Sequence, residues 1–294
     1  MKKIFCLSLF CTAMLCGFTP KKSNCIAVCG DDKVLIINVD ESSGEDVKIE
    51  WQWTMDDTKA LLPAKYANKI RSTDDCKKVD GGKKILFSSS SGAAVLVDIA
   101  TKKPIFWADV PNAHSIEMLP GDRVVVALST ADGGNAIELY NVSQPENVIF
   151  RDSLYSGHGV VWNSKLKRLY ALGYDVLREY SLVDWKSNKP SLKLERSWNI
   201  PGTSGHDLTP INDNEMIVTV HENVWRFNIA DQKFTDFEPL KNRENIKSVN
   251  FNSKTNSLIY TAAEISWWTH NIYLENPKKT ITINDINLYK VRPF

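Results

Sequence analysis

Three of the five histidines in this 294-residue chain fall at one phase of a repeat, and that phase constrains the fold more than any other feature. Ala113-His114-Ser115, Gly157-His158-Gly159 and Gly205-His206-Asp207 each place a small residue before a histidine and an apolar strand after it. The histidines lie 44 and 48 residues apart, the length of one four-stranded propeller blade.

The text between them agrees. Short β-branched runs alternate with turn residues and no helical stripe intervenes, which argues an all-β chain. Two adjacent units are in register: Cys76 to Val79, Ile85 to Ser89, Ala94 to Ile99 and Ile105 to Val110, then His114 to Leu119, Val124 to Ser129, Ala136 to Val142 and Val148 to Leu154. Gly81-Gly82 and Pro120-Gly121-Asp122 occupy the same turn in both, where positive φ or a fixed proline φ is needed. Later units begin at His158, His206 and Lys247, while the block from Cys25 to Thr54 contains only three strands. A propeller must close its ring or leave two sheet edges unpaired. The run around Asn287-Leu288-Tyr289-Lys290-Val291 is therefore expected to supply the missing strand, giving a six-bladed β-propeller, with five or seven blades as the alternatives. Asp56 to Thr73 reads as a longer connection with room for one helical turn.

Met1-Lys2-Lys3 followed by the apolar run from Ile4 to Leu15 reads as an export signal and not as a membrane span. Cys16 after Ala13-Met14-Leu15 is similar to a lipidated lipoprotein cysteine, with ordinary cleavage as the alternative. The chain thus divides into an export signal over residues 1–24 and a single propeller domain over 25–294, located in the periplasm, on the cell surface as a lipoprotein, or secreted. Only Cys25, Cys29 and Cys76 lie beyond the leader, an odd number that excludes a disulfide framework and leaves one bridge open. With 36 basic against 35 acidic side chains, no field favours nucleic acid or an anionic membrane. A monomer is expected.

In a propeller the first strand of each blade lines the central channel, so one phase of the repeat maps to one ring around the axis. Counting back from each second strand places Asp75, His114, His158, His206 and Lys247 in that ring. Three imidazoles and a carboxylate suit Mn²⁺, Zn²⁺ or Fe²⁺ with a position left for substrate. The other reading of the same residues is a polar channel hydrogen-bonded to water and backbone, with no cofactor. Lys247 is the candidate catalytic group, as a cation for an anionic substrate or as a base if burial lowers its pKa. His221 and His270 read as rim or packing residues. Trp51, Trp53, Trp107, Trp162, Trp198 and Trp225 fall within strands and are expected to wedge between blades, whereas Trp267 and Trp268 lie in a loop and are candidates for stacking on a sugar. No phosphate loop follows Ser88-Ser89-Ser90-Ser91-Gly92, and no Gly-Xaa-Ser-Xaa-Gly elbow is present.

The phrases Ala113-His114-Ser115-Ile116-Glu117-Met118-Leu119-Pro120, Trp267-Trp268-Thr269 and Leu288-Tyr289-Lys290-Val291-Arg292 resemble those of an uncharacterised family of secreted bacterial six-bladed propellers, which implies a fold and no activity. The ring of His114, His158 and His206 is more loosely similar to that of oligogalacturonate lyases, larger propellers that hold manganese with channel histidines and cleave uronic-acid sugars by β-elimination. The His-Ser-Ile-Glu-Met-Leu-Pro phrase also resembles arylsulfotransferase propellers over one blade. Two functions follow as expectations. One is a propeller that binds a glycan or cell-envelope ligand at its channel mouth. The other is a metal-dependent carbohydrate-active enzyme, of polysaccharide-lyase type, using the histidine ring.

Overall fold

A computed structural model describes residues 24–58 and 60–294. The leader and Cys16 lie outside the described residues. Six four-stranded antiparallel sheets are arranged as a β-propeller. The first blade joins Cys25–Gly30, Lys33–Asn38 and Ile49–Thr54 to the C-terminal strand Leu288–Pro293, which takes the innermost place. The ring is closed as the three-strand N-terminal block requires, because that strand satisfies the backbone edge that Cys25–Gly30 would otherwise expose.

The other five blades run inner to outer in chain order. Their inner strands are Thr73–Val79, Ala113–Leu119, Gly159–Asn163, Asp207–Asn212 and Ile246–Asn252. The connection between the first two blades carries the short helical turns Met55–Thr58 and Ala64–Asn68. Gly81 and Gly121 take φ of 65° and 76° in the turns assigned to them, conformations that cost a residue with a Cβ atom.

Six apolar clusters hold the molecule together, one at each seam between neighbouring blades. Second strands such as Arg123–Leu128 are buried along their whole length, which explains their continuous Val-Val-Val-Ala-Leu text. Trp53 is fully buried against Phe87 at the seam between the first and second blades, with ring centroids 4.7 Å apart. No disulfide joins Cys29 and Cys76 at the same seam, where both are buried and the Cys29 thiol contacts Cys76. Among the described residues no helix is long and apolar enough to cross a membrane.

Candidate functional site

One structural device recurs at the top of the inner strands. In the second blade Thr73 pairs with Ser89 and Asp75 with Ser88, so Asp74 is an extra residue in a β-bulge. The third and sixth blades repeat it at His114 and Lys247. In the first blade Tyr289 and Lys290 together oppose Cys29, between the pairs Gly30–Leu288 and Val28–Val291. The fourth and fifth blades reach the same arrangement at their strand starts, where the amide of His158 bonds to Leu172 O and that of His206 to Thr219 O. A bulge breaks the period-two alternation and re-aims a side chain. Here one side chain per blade is presented at the channel mouth: Asp74, His114, His158, His206, Lys247 and Tyr289.

The sequence count is therefore corrected at one position. Asp75 is not at the mouth. It lies one step down the axis, where its carboxylate accepts from Ser115 Oγ at 2.7 Å and from Arg292 Nε at 2.8 Å, with Lys77 Nζ at 3.7 Å. Arg292 also makes a forked pair with Asp207 at 2.8 and 2.6 Å, the bidentate geometry that a guanidinium favours. Lys290 Nζ lies 3.3 Å from Asp207 and donates to the carbonyls of His114 and His158 at 3.2 and 2.8 Å. These groups form a buried charged plug beneath the mouth. Burial pushes the Asp75 and Asp207 carboxyls up, yet the charges of Arg292 and its lysine neighbours hold both below the usual carboxylate range.

Above the plug is a cavity of about 400 Å³. His114, His158 and His206 meet there, with ring centroids 4.3 Å apart for the first pair and 5.8 Å for the second. Their roles differ. His114 Nδ1 donates to Asn112 O at 3.2 Å and His158 Nδ1 to Ser156 O at 2.9 Å, which fixes the tautomer and leaves each Nε2 as an acceptor. His206 instead gives its Nε2 to Lys247 Nζ at 2.9 Å, and its buried Nδ1 has no protein partner.

Burial lowers all three imidazole pKa values, that of His114 to about 4, with the Lys290 charge adding to the effect. The rings are neutral at physiological pH. Lys247 is almost wholly buried, and desolvation followed by the Lys290 charge lowers its amine to about 7. Its other neighbour is the Trp267 indole, 5.2 Å from Nζ. Burial raises the Asp74 carboxyl to about 7 against its hydrogen bonds from Ser90.

The remaining wall carries neutral hydrogen-bonding groups and aromatic rings. Ser72, Ser90, Ser129, Thr130 and Ser204 supply hydroxyls; Trp267, Trp268 and Tyr174 supply rings. Trp267 is 57% exposed. His270 donates from Nδ1 to Ile286 O at 2.9 Å, a packing contact, and the His221 backbone links loops at the rim. The glycines before His158 and His206 serve the seams more than the axis. A methyl group on Gly205 would collide with the Gly173 carbonyl, and one on Gly157 would crowd the Leu128 and Ala136 carbonyls.

The four expected metal ligands are not brought together as a set, because Asp75 faces Arg292 and His206 Nε2 faces Lys247. Among the described residues no group of three or more His, Cys, Asp or Glu side chains is arranged to hold a metal ion. Asp74, Tyr289, Asp207, Lys290 and Arg292 were missed by the sequence count. The available signal was Lys290 and Arg292, two cations spaced for one face of a strand expected to lie on the axis.

These features define a six-bladed propeller with a charged axial plug and a polar, aromatic-rimmed mouth. The chain belongs to the family of unknown function DUF6528, whose model matches residues 21–294. No characterised protein matches the sequence.

Proposed function

We propose that this protein binds a glycan at the channel mouth and is not an enzyme of the lyase type. The observation that carries the reading is the pairing of the exposed Trp267 indole with a cavity whose wall, Asp74 apart, presents neutral imidazoles, hydroxyls and aromatic rings. A sugar offers hydroxyls of both hydrogen-bonding senses and an apolar C–H face. Neutral imidazoles and serine hydroxyls answer the first, and an indole answers the second. His206 also lines the cavity, and its Nδ1 is buried without a protein partner, so this ring is held at a cost that the fold alone does not repay. The leader text of Met1-Lys2-Lys3 and the run to Leu15 supports a periplasmic, cell-surface or secreted site of action, where glycans are abundant.

The test is calorimetric titration of the leader-free chain with a panel of sugars, before and after chelation, beside measurement of its metal content. Saturable binding that survives chelation supports the reading. Binding that requires about one equivalent of transition metal would overturn it and restore the histidine ring as a metal centre.

A further inference from the structure

We infer that the mouth recognises a glycan chain of more than one sugar unit, and that Tyr155 and Tyr174 form a second aromatic subsite across the mouth from Trp267. The inference rests on the glycan reading above and names the length class of its ligand.

Among the described residues the most exposed large hydrophobic side chains are Tyr155 at 59% and Trp267 at 57%. Both are on the mouth face. Trp267 belongs to the loop between the second and third strands of the sixth blade. Tyr155 belongs to the connection from the third blade to the fourth, directly before Ser156 and His158, which line the cavity. Its ring packs at 5.5 Å between centroids against Tyr174, itself a cavity-lining residue in a turn of the fourth blade. The backbone holds the pair in place: Tyr174 N donates to Tyr155 O, and Gly205 N to Tyr174 O, each at 3.0 Å.

Packing does not explain the exposure. The strand tryptophans of this chain are buried or half-buried between blades, whereas Tyr155 leaves most of its ring in water. Exposed aromatic surface beside a polar cavity marks an interaction site. The two platforms flank the fifth blade, which carries His206 with its unpartnered Nδ1. In a six-bladed ring, the fourth and sixth blades stand about a third of a turn apart. A single pyranose resting on Trp267 over His206 leaves Tyr155 uncovered. A chain continuing along that arc covers it, and the cavity of about 400 Å³ exceeds what one hexose ring requires.

The experiment uses the leader-free full chain with three probe series: glucose, N-acetylglucosamine and galacturonic acid, each as monosaccharide, disaccharide, trisaccharide and tetrasaccharide. Affinity is expected to rise about tenfold or more from monosaccharide to trisaccharide in the series that binds, the value of one added aromatic contact. Tyr155→Ala should abolish that rise while leaving monosaccharide affinity unchanged, and Tyr155→Phe, which keeps the ring, should preserve it. Trp267→Ala should weaken every length equally. Affinity independent of length, or a length dependence untouched by Tyr155→Ala, would overturn the subsite while leaving glycan binding intact. Failure of every series at every length would bring down the glycan reading itself.

Discussion

Replacing Arg292 with methionine tests the axial plug most directly. The substitution keeps much of the side-chain volume and removes the guanidinium that pairs with both Asp75 and Asp207. Breaking a buried pair from one side costs about 3–5 kcal/mol, because the abandoned carboxylate stays out of water. Two carboxylates are abandoned here, but Lys290 remains 3.3 Å from Asp207 and Lys77 3.7 Å from Asp75. These contacts place the expected loss near the middle of that range, about 4 kcal/mol. At roughly 2 °C per kcal/mol for a domain of this size, the melting temperature should fall by about 8 °C at pH 8.

The pH dependence carries the sharper test. In the parent chain both carboxyls are held below their unfolded values, so their contribution is present above about pH 4 and lost as pH falls. Without Arg292, burial is the leading influence and raises both carboxyls above their unfolded values. A raised carboxyl loses stability as pH climbs from about 4 through its folded pKa. The gap between parent and variant should therefore narrow by several degrees between pH 8 and pH 5, read by circular dichroism melts. A drop under about 2 °C at pH 8, equivalent to about 1 kcal/mol, or a gap constant with pH, would refute the plug as a charge-balanced unit.

Other substitutions probe the ring closure and the mouth. A chain ending at Asn287 lacks the strand Leu288–Pro293 and should lose its cooperative melt and elute as aggregates, because Cys25–Gly30 is left as an open edge. Trp267→Ala should weaken sugar binding about tenfold by calorimetry with the melting temperature within about 1 °C of the parent, since the indole is exposed. Chelation should leave that binding unchanged, and plasma mass spectrometry should find well under one equivalent of transition metal. His206→Phe should weaken sugar binding while retaining the fold, since it removes a polar ring from the cavity wall together with the partner of Lys247.

Blade number and closure were legible because each depends on short-range text. Second strands of the first five blades are buried on both faces over most of their length and so read as apolar runs, and the N-terminal block counts visibly one strand short. The mouth was legible only to within one residue. A count back from the second strand at Ile85 carries a play of one residue, and it arrives at Asp75, whereas the bulge sends Asp74 to the mouth. His114 and Lys247 occupy the same bulge position, and the count back from their own second strands reaches both. Tyr289 has no such count, because its strand lies about 260 residues from the one it pairs with. The plug was hidden for a related reason: Arg292 meets Asp207 and Asp75 across 85 and 217 residues, and no local pattern encodes a pairing of that range.

The bulge also joins the mouth and the plug physically. In five of the six blades the residue sent to the mouth is followed at once by one whose side chain joins the network beneath it: Asp74 by Asp75, His114 by Ser115, His206 by Asp207, Lys247 by Ser248 and Tyr289 by Lys290; in the fourth blade His158 is followed by Gly159. Ser115 Oγ donates to Asp75 and accepts from the amide of Val160, tying three blades together. Ser248 Oγ accepts from the amide of Val291, and Asp207 from that of Val249. Lys290 reaches up to the very carbonyls of His114 and His158. The imidazoles are thus positioned by the plug beneath them, and pairs in direct contact couple while distant sites add. Arg292→Met should therefore weaken sugar binding even at temperatures where the variant is fully folded, although Arg292 itself lies below the mouth. Unchanged affinity in a folded Arg292→Met chain would mean that the inner-strand bulges alone hold the ring.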